Sequence, residues 1–141
     1  MKSKAKERNN SRLYTVQALY QKRVAGNSFE DLKVQYYADN ADRHQTDWDF
    51  FYRLMDSVQD NEAEINEYIE QNSKDGVVSI NLVDCAVLQV AIAELIECRE
   101  NPYQVIIKEY VEIGYSMGTE EGYKFINAMI QKLSAIIREA E

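Results

Sequence analysis

Lys4, Arg8 and Arg12 recur every four residues near the start of the chain, so a helix running through them carries a basic stripe. Guanidinium groups grip phosphate through paired hydrogen bonds and ammonium groups act as point charges, so the chemistry offered is phosphate binding. The competing reading is a solvated basic tail. Tyrosine, with ten residues, is the second reactive type, because bases of single-stranded RNA stack on aromatic rings. Most of these tyrosines fall at helical core spacing and read as packing. Tyr20, on the same helix as the stripe, and Tyr123, beside Lys124, are the candidates for stacking.

Carboxylates are plentiful, among them Glu94, Glu97, Glu109 and Glu112. Glu109 and Glu112 are i, i+3 neighbours and could form a paired site. No E-x-x-H partner of the di-iron bundles accompanies them. Nor does the sequence hold a G-x-S-x-G, a phosphate loop, a dinucleotide fingerprint or an HExxH. The acids therefore read as a solvated face or as ion-pair partners, and the chain as no enzyme. Cys85 and Cys98 lie on one expected helix, about 20 Å apart at 1.5 Å per residue, which excludes a disulfide between them. His44 is the single histidine and has no second to share a metal, so neither a metal nor a cofactor is expected.

The elements that must position these groups are helices. Five glycines and one proline in 141 residues leave few breakers. The length suits one domain, residues 1–141, with residues 1–12 as its basic and potentially mobile N-terminus. Apolar spacing predicts a first helix ending near Ala25, with Leu13, Val16, Tyr20 and Val24 on one face, stopped by Gly26-Asn27. Ser28 caps a second. A third spans about Asp47 to Asp60, and a fourth about Asn61 to Asn72. Ser73 to Gly76 make a turn, and a fifth helix begins near Ser79 or Asn81. The run from Leu82 to Ile96 is apolar nearly all round, the mark of a helix at the centre of a bundle. Asn101-Pro102 opens a sixth helix with Asn101 as cap, and Thr119 caps a seventh after Gly118. The expected architecture is all-α, about seven helices.

The net charge of −8 is unevenly spread. Residues 1–24 hold Lys2, Lys4, Lys6, Arg8, Arg12, Lys22 and Arg23 against Glu7, a net +6 that leaves −14 on the remainder. Such a chain presents a local phosphate site while its body repels nucleic acid. The start, MKSKAKERNN, leads into no apolar segment and no apolar run approaches about 20 residues, so neither a signal peptide nor a membrane span is expected and the location is cytoplasmic. Monomer and homodimer are indistinguishable here, because an apolar interface and a core stripe have the same spacing.

Three collinear stretches resemble one family. NPYQVIIKEYVEIGYSMGTEEGYKFINAMIQKLS, from Asn101 to Ser134, closely resembles the signature of the NusB family through Pro102, Val105, Ile107, Glu109, Val111, Glu112, Ile113, Gly118, Glu121, Lys124, Phe125, Ile126 and Asn127. VDCAVLQVAIAELIE, from Val83 to Glu97, is similar to its central helix. TVQALYQ, with Arg12 ahead of it and Val16, Gln17, Leu19 and Tyr20 in place, is similar to its first-helix motif.

The resemblance implies a fold of two small helical sub-bundles side by side. It implies an antitermination factor that pairs with the ribosomal protein NusE and binds boxA of nascent ribosomal RNA transcripts, within the RNA polymerase antitermination complex. The family's arginine-rich motif corresponds to Lys4, Lys6, Arg8 and Arg12, which with Tyr20, Tyr123 and Lys124 are the expected RNA contacts. Asn9 and Asn10 stand where consecutive arginines are common, and Gln89 where arginine is frequent, so the electrostatics are diluted. Asp84 and Glu94 are the acids expected to face NusE, since ribosomal proteins are basic. The dilution motivates an alternative, a protein–protein scaffold of the same fold with little RNA binding of its own. The helical domain that accompanies an rRNA cytosine methyltransferase is not the expected reading, because these 141 residues leave no room for a methyl-donor fold.

Overall fold

In the computed structural model, residues 2–42, 45–74, 80–118 and 120–138 are described. His44, Gly76, Ser79 and Thr119 lie outside them. The described residues form α1 (Lys2–Ala25), α2 (Phe29–Asn40), α3 (Trp48–Asp60), α4 (Glu62–Asn72), α5 (Leu82–Glu97), α6 (Tyr103–Met117) and α7 (Glu120–Ile137), with no strand among them.

Helix starts follow the cap chemistry. The Ser28 hydroxyl accepts from the Asp31 amide, Asp47 from Phe50, and Asn81 from Val83 and Asp84, which satisfies donors that a helix N-terminus leaves orphaned. Gly26 ends α1 at φ 78°, a left-handed conformation that costs any residue with a Cβ. The expected Asn101 cap is different. Pro102 stands at the N-cap position of α6 without a side-chain cap, and the Asn101 amide is used elsewhere.

Helix α5 is the hub, packed against α1, α3, α4, α6 and α7. Asp84 to Leu95 are all buried, as the apolar run requires. Around it α1–α4 form one sub-bundle and α6–α7 complete the other, and a single core runs through both, from Val16, Leu19 and Phe51 to Ile106, Ile126 and Leu133. Tyr14, Tyr36, Tyr37, Trp48, Phe51 and Tyr52 make one aromatic cluster where α1, α2 and α3 meet, so these tyrosines serve packing. Val24 was expected on the buried face of α1 but is 59% exposed, because the buried line runs through Tyr14, Thr15, Ala18 and Leu19 and leaves the bundle before the helix ends.

Arg138 is buried at the C-terminal end of α5. Its buried guanidinium donates to the carbonyls of Leu95, Cys98 and Asn101, taking acceptors at the C-terminal end of α5. A cation there also meets the negative end of the helix dipole. Both cysteines are free and buried, and burial pushes the Cys98 thiol up to about 12.

Candidate nucleic-acid interface

The N-terminal stretch is helical from Lys2, and side chains fix it in place. Ser11 donates to the carbonyl of Asp47 at 2.6 Å and the Asn10 amide to that of Gln45 at 2.6 Å, while the Asp47 amide donates to the carbonyl of Glu7. Three bonds thus tie the connection before α3 to the basic segment. The Asn9 side-chain oxygen accepts from Arg12 at 2.6 Å. Asn10, which reads as diluted charge, instead ties the helix to the connection before α3, and Asn9 braces Arg12 within α1.

The stripe does not stay on the surface. Positions four apart advance by about 40° around a helix, so Arg12 is turned roughly 80° from Lys4. Lys4 is exposed, Arg8 is half-buried, and Arg12 is 3% exposed beneath α5 and α6. Arg12 makes a two-pronged ion pair with Glu94, at 2.9 and 2.7 Å. Glu94 is fully buried and also accepts from the Asn101 amide at 3.0 Å and the Tyr110 hydroxyl at 2.7 Å. Four donors therefore meet one carboxylate, which uses its full accepting capacity. Burial works against the Arg12 charge, and the bond and charge of Glu94 overcome it, holding the guanidinium above its ordinary value. The Tyr110 hydroxyl, wholly buried beside the same carboxylate, is pushed far up.

Two expectations are corrected by this burial. Arg12 does not present its charge to phosphate, because it is buried and its guanidinium is turned onto Glu94 and Asn9. Glu94 does not face a partner, because no part of it reaches the surface. Asp84 is also buried, and desolvation pushes its carboxyl up. Its oxygens sit where a Cβ on Gly122 would meet them at 2.7 Å, against the first turn of α7. It serves the α5–α7 junction, where the positive end of the α7 dipole favours an acid.

What remains on the surface is a groove of about 320 Å³ between α1 and α6, lined by Lys4, Arg8, Asn9, Asn101, Pro102 and Val105, with Arg12 and Glu109 at its inner wall. Arg8 lies over the Phe50 ring at 4.4 Å and donates to the Asn101 side-chain oxygen, Oδ1, at 3.1 Å. Asn101 thus bridges the buried pair to the surface arginine, one amide end on Glu94 and the other on Arg8. Among the described residues no ion pair engages Lys4, Lys6 or Arg8, and the Arg8 Nε has no partner. Lys6 is exposed about 200° around the helix from Lys4, away from the groove. Tyr20 is half-buried and lies roughly 18 Å along α1 from Arg8, also outside it. Tyr123 and Lys124 belong to α7, where Tyr123 lines a second groove with Tyr115. Glu109 and Glu112 form no paired site, since Glu109 lines the α1–α6 groove and Glu112 the α6–α7 groove. Gln89 donates to Asn66 at 2.9 Å and is buried.

Comparisons with known proteins agree with this architecture. A profile described as the NusB family matches residues 9–135. The transcription antitermination protein NusB of Colwellia psychrerythraea is 33% identical over 138 residues, covering 98% of this chain and 99% of that one. A Thermotoga maritima NusB crystal structure superposes with a TM-score of 0.77 at 26% identity, over 89% of each chain. A structure of the antitermination factors NusB and NusE with double-stranded RNA superposes at 0.83 and 17% identity, over 96% of this chain and 98% of its counterpart, which speaks for the fold. With the profile matched over most of its length and a whole-length relative at this identity, the chain belongs to the NusB family of transcription antitermination proteins.

Proposed function

We propose that this chain is a non-catalytic RNA-binding subunit of the cytoplasmic RNA polymerase antitermination complex, acting with ribosomal protein NusE on boxA of nascent rRNA transcripts. The observation that carries the reading is the α1–α6 groove, where Lys4 and Arg8 stand without a carboxylate partner on a helix pinned at Asn10 and Ser11. Cations held in place before RNA arrives lose little freedom on binding. NusE stands beside NusB and RNA in the related complex, which supports the same partner here. With Asp84 and Glu94 buried, the acid offered to a basic protein is that of α4, where Glu62, Glu64 and Glu67 are exposed and no basic residue intervenes. Charge of this kind speeds encounter more than it tightens the final complex.

A second reading, a scaffold with little RNA binding of its own, is favoured by one observation: only Lys4 and Arg8 of the stripe reach the groove as free cations. Titration of labelled boxA RNA, with and without NusE, separates the two. RNA binding that strengthens with NusE supports the first. Absence of RNA binding in both titrations, with NusE still bound to the chain, supports the scaffold.

A further inference from the structure

The second groove, about 440 Å³ between α6 and α7, has no part in the basic stripe. Its floor is Ile107 and Val111, its walls are Tyr115 and Tyr123, Asn127 lies at its α7 side and Lys108 at its α6 side. Tyr115 is 66% exposed, and its ring meets Tyr123 edge-on with centroids 5.2 Å apart. A T-shaped pair covers at most one face of either ring, so at least one face of the exposed Tyr115 ring stays clear of Tyr123 for a third planar group. A side-chain amide offers both a donor and an acceptor, the combination that reads the edge of a base. Lys108 and, one residue past Tyr123, the exposed Lys124 supply cations, while the Glu112 carboxylate adds two acceptor oxygens.

We propose that this slot holds one unstacked base of single-stranded RNA, stacked on Tyr115 and met at its edge by Asn127, a reading that rests on the RNA-binding function above. An apolar side chain of a protein partner would fill the floor equally well. The exposed planar ring beside an amide favours a base, because an apolar side chain leaves the amide unused. Both grooves flank α6, one through Val105 and Glu109 and the other through Lys108 and Tyr115, so a strand crossing this helix reaches both.

The test is fluorescence anisotropy of a labelled, unstructured 12-nucleotide RNA at several salt concentrations, alone and with NusE. Tyr115→Ala is expected to weaken binding by roughly tenfold without changing the salt dependence, since stacking is sequence-tolerant and uncharged. Tyr115→Phe is expected to bind as the parent does. Parental affinity in Tyr115→Ala while Lys4→Ala with Arg8→Ala still flattens the salt dependence would overturn the slot and leave the RNA-binding reading standing. No RNA binding by the parent under any condition would remove both. Loss of NusE binding by Tyr115→Ala with RNA affinity intact would overturn the slot by assigning the groove to protein.

Discussion

Replacing Glu94 by glutamine tests the buried centre of the bundle. The substitution keeps the volume and removes the charge. Arg12, 3% exposed, then holds its positive charge under α5 without a counter-ion. One amide oxygen faces the four donors that the carboxylate now satisfies, from Arg12 Nε and Nη2, Asn101 Nδ2 and Tyr110 Oη. Breaking a buried pair on one side costs about 3–5 kcal/mol. That is a large share of the roughly 5–15 kcal/mol that holds a domain folded. A chain of this length then melts roughly 10–15 °C lower. Urea denaturation followed by far-UV circular dichroism measures the difference. Because each side chain is the other's ion-pair partner, a cycle with Arg12→Met, Glu94→Gln and the double variant should give a coupling of about 2–3 kcal/mol. A loss under about 1 kcal/mol, or additivity within about 0.5 kcal/mol, would refute the claim that these side chains form one unit.

Gly114 sits where a Cβ would meet Ile126 Cδ1 at 2.6 Å, so Gly114→Ala should destabilise by about 1–2 kcal/mol after its helix-propensity gain, with recovery in Gly114→Ala/Ile126→Val measured by thermal melting. Burial raises the Asp84 carboxyl, so the folded chain holds that proton more tightly than the unfolded one. Its contribution is intact below the unfolded value near 3.8 and is lost as pH rises through the folded value. Asp84→Asn should therefore gain stability relative to the parent from about pH 4 upward, and parallel pH profiles would contradict this. Cys85 and Cys98 are fully buried with both thiols raised by burial, so a thiol reagent at pH 8 should label neither until the chain is unfolded in denaturant, when both react. Glu64→Lys with Glu67→Lys should slow association with NusE at low salt, read by stopped flow, and leave the salt dependence of RNA binding unchanged.

Local signals carried much of the fold. Ser28, Asp47 and Asn81 are caps because each is a short acceptor followed by apolar helical spacing, and that chemistry needs no tertiary knowledge. The run from Leu82 to Ile96 could be read as central because its apolar residues fall on nearly every side of the helix, with Asp84, Gln89 and Glu94 as the interruptions. The site was harder. The spacing of Lys4, Arg8 and Arg12 shows a common stripe, yet it does not reveal where α5 and α6 cover it. The answer lies in Glu94, 82 residues from Arg12, and no local pattern links the two. Asn101 before a proline has the form of a helix cap, but its amide is claimed by Arg8 and Glu94, and two charged groups outbid a neutral helix terminus. Gly122 gave no sign that its missing Cβ makes room for Asp84. Arg138 likewise carries no local sign of its role, because its carbonyl partners are 37 to 43 positions away.

The central claim is that the surface part of the stripe, Lys4 and Arg8, contacts phosphate while Arg12 holds the bundle together. The salt dependence of RNA affinity tests it most directly, measured with NusE present for the parent and for Lys4→Ala with Arg8→Ala. Each phosphate contact on a single strand contributes about 0.7 to the slope of log affinity against log salt, so the double variant should lose about 1.4. A variant whose slope matches the parent's would show that these cations do not touch RNA.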